Sequence, residues 1–205
     1  GPGIGANNEN LPNPTVTIPG TYTLEVTNPV NGCTDTDVVV IAQDANVPNA
    51  KAGTDLELNC TVTTVNIDGS GSSNGPGIVY QWSGPGISGG NATAQSPAGI
   101  TLPGTYTVTV TDTNNSCFNT DVVVINIDTI APTASAGPDQ ILNCFNSASD
   151  TLIGSASSTG AGFTLLWSGP GITGANESVV NPIINQAGTY LLVVTNAGNN
   201  CTSSD

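Results

Sequence analysis

The sequence predicts an all-β chain of tandem β-sandwich modules, each of about 84 residues, strung into an elongated rod. Three observations predict it: a fixed period in the cysteines, strand-type alternation between turn residues, and the lack of any sustained helical period. The five cysteines, at 33, 60, 117, 144 and 201, are separated by 27, 57, 27 and 57 residues, which is one period of 84. Cys33, Cys117 and Cys201 form one register, and Cys60 and Cys144 the other.

Other motifs keep the same step. Gly20-Thr21-Tyr22 returns as Gly104-Thr105-Tyr106 and Gly188-Thr189-Tyr190, and Asp37-Val38-Val39-Val40-Ile41 returns as Asp121-Val122-Val123-Val124-Ile125. Trp82-Ser83-Gly84-Pro85-Gly86-Ile87 returns as Trp167-Ser168-Gly169-Pro170-Gly171-Ile172, one residue late. The period divides the chain into residues 1–45, the C-terminal part of one module; 46–129, a complete module; and 130–205, a module expected to stop before its last strand. The sequence is thus expected to be a window on a longer array. Proline-bearing junctions at Asn46-Val47-Pro48 and Thr129-Ile130-Ala131-Pro132 are short and lack a Gly/Ser run, which favours a semi-rigid rod.

Within the complete module, strands are expected at 56–60, 64–68, 79–82, 105–111 and 121–127, with turns at 68–71, 84–86 and 114–116. Tyr106, Val108 and Val110 alternate with threonines, as a half-buried antiparallel strand requires. Trp82 and Trp167 sit where an immunoglobulin-like sandwich places its core tryptophan, and Tyr22, Tyr106 and Tyr190 resemble a tyrosine corner. The immunoglobulin disulfide has no counterpart, because Val108 stands two residues after Tyr106.

Composition excludes several functions. The chain of 205 residues has fifteen acidic side chains, one basic one (Lys51), no His and a net charge of −14. One lysine makes no track for nucleic acid or anionic lipid, and no apolar run is long enough to cross a bilayer. The Gly-Pro-Gly runs have no following Lys and no helix, so they read as turns rather than phosphate loops. With no His, no free thiol pair expected and one Lys, only carboxylate chemistry remains, and those carboxylates recur once per module, so no enzyme is expected.

Cys60 ends an early strand and Cys117 follows a late turn, so the pairs expected are Cys60 with Cys117 and Cys144 with Cys201, leaving the partner of Cys33 outside the window. A closed loop of that length is worth about 4 kcal/mol. The rival pairing, Cys33 with Cys60 and Cys117 with Cys144, would staple neighbouring modules. Either requires an oxidising compartment and therefore export. Asp44, Asp55, Asp128 and Asp139 flank the junctions. They read first as a solvated acidic surface, and second as calcium (Ca2+) ligands that would combine with Asn46, Asn49 and backbone carbonyls. Asn59, Asn91, Asn176 and Asn200 open Asn-X-Ser/Thr triplets, which chance supplies in a chain this rich in Asn and Thr.

The run from Pro103-Gly104-Thr105-Tyr106 through Thr111-Asp112, with Cys117 and the Asp121 strand after it, resembles the repeats of giant cell-surface adhesins of Bacteroidota, the SprB-like gliding adhesins among them. Ala131-Pro132-Thr133-Ala134-Ser135-Ala136-Gly137-Pro138-Asp139 with Leu142-Asn143-Cys144 resembles the opening of PKD-like and Ig-like domains in the same proteins. Gln81-Trp82-Ser83-Gly84-Pro85-Gly86 stands where a typical PKD domain carries its Trp-Asp-Phe-Gly-Asp-Gly core. The resemblance implies type IX secretion, display on an extracellular appendage, and the shaft of a structure for adhesion, gliding or capture of surfaces and prey. It also implies O-glycosylation at Asp128-Thr129-Ile130 and Asp150-Thr151-Leu152. Expected partners are further copies of the module, with parallel shafts bundling. Two alternatives stand beside this: a carbohydrate- or ligand-binding ectodomain using Trp82 and the loop 84–94, and accessory modules of a large secreted hydrolase.

Overall fold

The computed structural model describes residues 1–143 and 149–205, and among them every regular element is a strand except one short 3₁₀ turn, Gly89–Ala92. The chain is all-β. β1 (Gly20–Thr27) and β2 (Thr34–Ile41) form an antiparallel hairpin with Tyr22 opposite Val39. β3 (Leu56–Asn59), β4 (Ile78–Ser83), β5 (Gly104–Asp112) and β6 (Cys117–Asp128) form one sheet in the order β3-β6-β5-β4. β7 (Asp150–Thr151) pairs with β9 (Ile183–Ile184), and β8 (Phe163–Ser168), β10 (Leu191–Asn196) and β11 (Thr202–Ser204) form a three-stranded sheet centred on β10.

Period-2 alternation decides what is buried. On β5, Tyr106, Val108 and Val110 are fully buried, and they face the same core as Val123 and Ile125 of β6 and Trp82 of β4. Ala50, Ala52, Leu58, Ile67 and Ile100 close over that face. Each buried Val or Ile contributes on the order of 2 kcal/mol, so the face as a whole is what holds β5 to its cover. A second, smaller cluster forms from Leu152, Trp167, Ile184, Leu192 and Val194. Trp82 Nε1 donates to the Ala94 carbonyl at 2.9 Å, while Trp167 Nε1 finds no acceptor among the described residues.

The strand expected at 64–68 is not formed. Only Val65 and Ile100 exchange backbone hydrogen bonds there, and Ile67 donates to the Pro97 carbonyl. Side chains occupy the neighbouring backbone donors: Gly69 N–H goes to Ser96 Oγ (3.1 Å) and Gly99 N–H to Asn66 Oδ1 (2.9 Å). A ladder cannot lengthen once its donors are spent this way, and Pro97 has no N–H to add.

Two motifs that repeat in the sequence are halves of one contact. Gly84-Pro85-Gly86-Ile87 is a β-turn, closed by Ile87 N–H on the Gly84 carbonyl at 3.2 Å, with Gly86 at φ 70. That left-handed third position is why Gly stands there and Pro before it. A side chain on Gly84 would strike the Tyr106 ring at 2.4 Å, and one on Gly104 would strike Pro85 at 2.7 Å. Tyr106 Oη then shares its proton between the Leu102 carbonyl (2.7 Å) and the Pro85 carbonyl (2.9 Å). The bond to the residue four positions upstream is tyrosine-corner geometry. Tyr22 repeats it on the Ile18 and Pro2 carbonyls, and Tyr190 on those of Gln186 and Pro170. Tyr22 and Tyr106 are buried and Tyr190 is half-buried.

Candidate functional site

The residues that stand out are at the junctions between repeats. Cys60 is bonded to Cys201, 141 residues away, with 5.0 Å between their α-carbons. This corrects the pairing expected from the sequence. Cys60 is not joined to Cys117, and Cys201 is not joined to Cys144, so the bridge runs between repeats instead of inside one. The rival pairing of Cys33 with Cys60 is excluded by the same bond. Cys144 itself lies outside the described residues. Cys33 is exposed and Cys117 half-buried, neither bonded to a described residue.

The physical reason lies in strand order. β3 runs parallel to β6, with Leu56 opposite Ile125 and Asn59 opposite Asp128. Cys60, one residue past Asn59, is thereby delivered to the end of the repeat, beside the linker. The turn between β10 and β11 arrives at the same place from the following repeat. Its Asn199 is fully buried, and Asn199 Nδ2 donates to Asp128 Oδ1 and to the Ile130 carbonyl, both at 2.9 Å. Asn199 Oδ1 accepts from Cys201 N–H at 3.0 Å, and the Asn199 carbonyl accepts from Cys60 N–H at 3.4 Å. Asn200, at φ 55, turns the chain so that Cys201 faces Cys60.

One period earlier the clamp recurs. Asn115 Nδ2 donates to the Asn46 carbonyl at 2.9 Å, and Asn115 Oδ1 accepts from Cys117 N–H at 2.8 Å. Ser116 takes the left-handed position at φ 61. Asp44 Oδ1 accepts from Asn46 N–H at 3.0 Å, as Asp128 Oδ1 accepts from Ile130 N–H at 3.1 Å. The Asn46 backbone N–H, then the Asn115 amide, hold the Asp44 carboxyl below its ordinary value of 3.8; the Asn199 amide, then the Ile130 N–H, do the same for Asp128. Sequence reading treated residues 114–116 as a turn only and missed Asn115 and Asn199. The signal was present as Asn31-Gly32-Cys33, Asn115-Ser116-Cys117 and Asn199-Asn200-Cys201, the same Asn-X-Cys at each period. In the first of these Asn31 Oδ1 also accepts from Cys33 N–H, at 3.0 Å.

The four aspartates read as calcium ligands are not brought together. Asp44 and Asp128 serve separate junctions, and Asp55 Oδ1 accepts from Val124 N–H of β6 at 2.9 Å. Asp139 stands on the wall of an open cleft of about 580 Å³ between residues 136–142 and 184–190. Among the described residues, no three acidic, thiol or imidazole groups gather as a metal site would need. Asp121, outside that set, ties Ala52 N–H to β6 at 2.8 Å. Trp82, weighed as a sugar platform, is 1% exposed, so its ring faces the core and not a ligand.

No known protein family matches the chain, and no curated protein does. Among solved structures it is similar to the PKD domain of the KIAA 1837 protein, at 24% identity over 48% of this chain and 99% of that one, with a TM-score of 0.30. It is also similar to immunoglobulin domains 1–5 of Sidekick-1, at 12% identity over 91% of this chain and 45% of that one, with a TM-score of 0.37. Extracellular domains 3–5 of Drosophila OTK align at 11% identity over 91% of this chain and 69% of that one, with a TM-score of 0.32. The chain thus spans less than half of the Sidekick-1 structure. Superpositions this loose carry no weight for fold or function, and the all-β assignment rests on the strands themselves.

Proposed function

We propose that the chain is a structural segment of an exported surface protein: tandem Ig-like and PKD-like modules forming the shaft of an adhesin or filament, with no catalytic role. The observation that carries this reading is the Cys60–Cys201 bond, which joins neighbouring repeats covalently beside a hydrogen-bonded clamp that occurs at both junctions. A hinge between independent domains has no use for such a bond; a member that bears tension does. The disulfide supports an oxidising compartment, outside the reducing cytosol, because such bonds persist where thiols are not kept reduced. A single basic residue leaves trypsin-like proteases one cleavage site, which suits an exposed shaft. The likeness to Bacteroidota repeats supports type IX secretion, a role in adhesion, gliding or capture, and neighbours that are further copies of the module.

The test is immuno-electron microscopy of intact, unpermeabilised cells with an antibody raised against residues 46–128. Label strung along filaments leaving the cell is expected. Label confined to the culture supernatant, co-purifying with a hydrolase, overturns the shaft reading in favour of accessory modules of a secreted enzyme.

A further inference from the structure

We propose that Cys117 is one half of a second inter-repeat staple, whose other half is a cysteine in the register of Cys60 carried by the preceding repeat. The inference rests on the array reading and deepens it: the partner is another copy of this module, and the bond is a link in a continuous series.

The turn and the linker bonds that position Cys201 recur around Cys117. Asn115 holds Cys117 N–H as Asn199 holds Cys201 N–H, and each Asn reaches a linker carbonyl 69 residues back, Asn46 in one case and Ile130 in the other. Because the acceptor is backbone, the change from Asn46 to Ile130 does not disturb it. Ser116 and Asn200 share the left-handed conformation, and Asp44 and Asp128 brace the two linkers alike. What closes the observed staple is β3, whose parallel pairing on β6 carries Cys60 to the linker beside Cys201. The hairpin β1–β2 is the earlier counterpart of β5–β6, pairing Tyr22 with Val39 as Tyr106 pairs with Val123. A strand like β3 laid parallel on β2 would set its terminal cysteine beside Asp44, facing Cys117. The chemistry is thiol–disulfide exchange. One thiolate attacks a small disulfide such as oxidised glutathione, and the second displaces the remaining glutathione thiolate. Two protons and two electrons leave the protein, and two glutathione thiols are released.

The experiment places a second copy of residues 46–83 directly before Gly1 of the full chain, which creates a Trp-Ser-Gly-Pro-Gly-Ile sequence at the join and supplies a β3-like strand with its cysteine. The protein is refolded with reduced and oxidised glutathione, digested with pepsin in acid to prevent exchange, and mapped without reduction. Two crosslinks are expected in the same molecule, Cys60 to Cys201 and the added cysteine to Cys117, with Cys117 at least tenfold less alkylated than in the unextended chain. C117S is expected to remove only the second crosslink, and N115A to slow its formation several-fold while the first forms at its usual rate. The proposal is overturned by a link from the added cysteine to Cys33, by a link from Cys117 to Cys144, or by Cys117 remaining fully alkylatable. It is overturned equally by the absence of the Cys60 to Cys201 link, because the template would then be gone. Filament labelling with no Cys117 crosslink would refute the second staple and leave the shaft reading standing.

Discussion

The junction around Asp44 and the junction around Asp128 carry the same clamp, yet among the described residues only the later one is closed by sulfur. Asn115 and Asn199 make equivalent bonds to their linkers, so the clamp is built by short stretches that each repeat contains. The staple differs because it needs β3, which belongs to the preceding repeat and reaches the junction only by parallel pairing on β6. Clamping therefore needs only a linker and the Asn-X-Cys turn 69 residues further on, whereas stapling also needs a strand of the preceding repeat. The two hairpins teach the same lesson about burial. Val123 and Ile125 are buried under Ala52, Leu58 and Ile67, whereas Val39, in the place of Val123, is 56% exposed with no comparable cover among the described residues.

The largest expected effect sets the two cysteines of one register against each other. Cys201→Ser opens a loop whose closure is worth about 5 kcal/mol on the chain-entropy estimate, while Cys117→Ser changes stability by less than about 0.5 kcal/mol. Denaturant unfolding of the two variants measures the difference, and equal losses would break the comparison. Force spectroscopy sharpens it, since the chain between Cys60 and Cys201, a sequence separation of 141, is shielded from tension until the bond is reduced. Reduction should release roughly 490 Å of added contour length at about 3.5 Å per residue. Smaller, at about 2 kcal/mol, is the cost of Val123→Ala, against less than about 0.5 kcal/mol for Val39→Ala at the exposed counterpart. Smaller still are the clamp residues. Asn199→Ala leaves the buried Cys201 N–H short of its acceptor and should cost about 1.5 kcal/mol, with Asn115→Ala, at the more open junction, nearer 0.5 kcal/mol.

Acid gives the last contrast. Asp44 and Asp128 have folded-state values below 3.8, so the stability they add is fully present above the unfolded value and is lost as the pH falls through the depressed one. The melting midpoint of the native chain should fall between pH 4 and pH 2, by the physical rule that a carboxylate must stay ionised to accept its amide bonds, at roughly the acid end of the Asp range. Asp128→Asn should show a shallower fall over that interval, and an identical profile would remove Asp128 from the clamp.

Much of this was legible in the residues. The Gly-Thr-Tyr and Gly-Pro-Gly motifs are local statements about turns and sterics, and the strand expected at 105–111 is the core of β5, Gly104–Asp112. The region 64–68 misled because Val65 and Ile67 alternate like a strand, while Ser96 and Asn66 take over the backbone donors that a longer ladder would need. Asn115 and Asn199 were hidden by abundance, since asparagine occurs throughout the chain and only the fixed offset to cysteine distinguishes these two.

By itself the sequence determined the all-β character, the buried faces and the turns, because each depends on residues within a few positions of one another, and the period of 84, because like motifs recur at that interval. Only the tertiary structure decided which cysteines meet. With several thiols in two registers, spacing alone leaves the connectivity open, and an 84-residue period is equally consistent with bonds inside a repeat or across a junction. The parallel course of β3 along β6 breaks that tie, carrying Cys60 away from Cys117 and setting it against Cys201 of the next repeat.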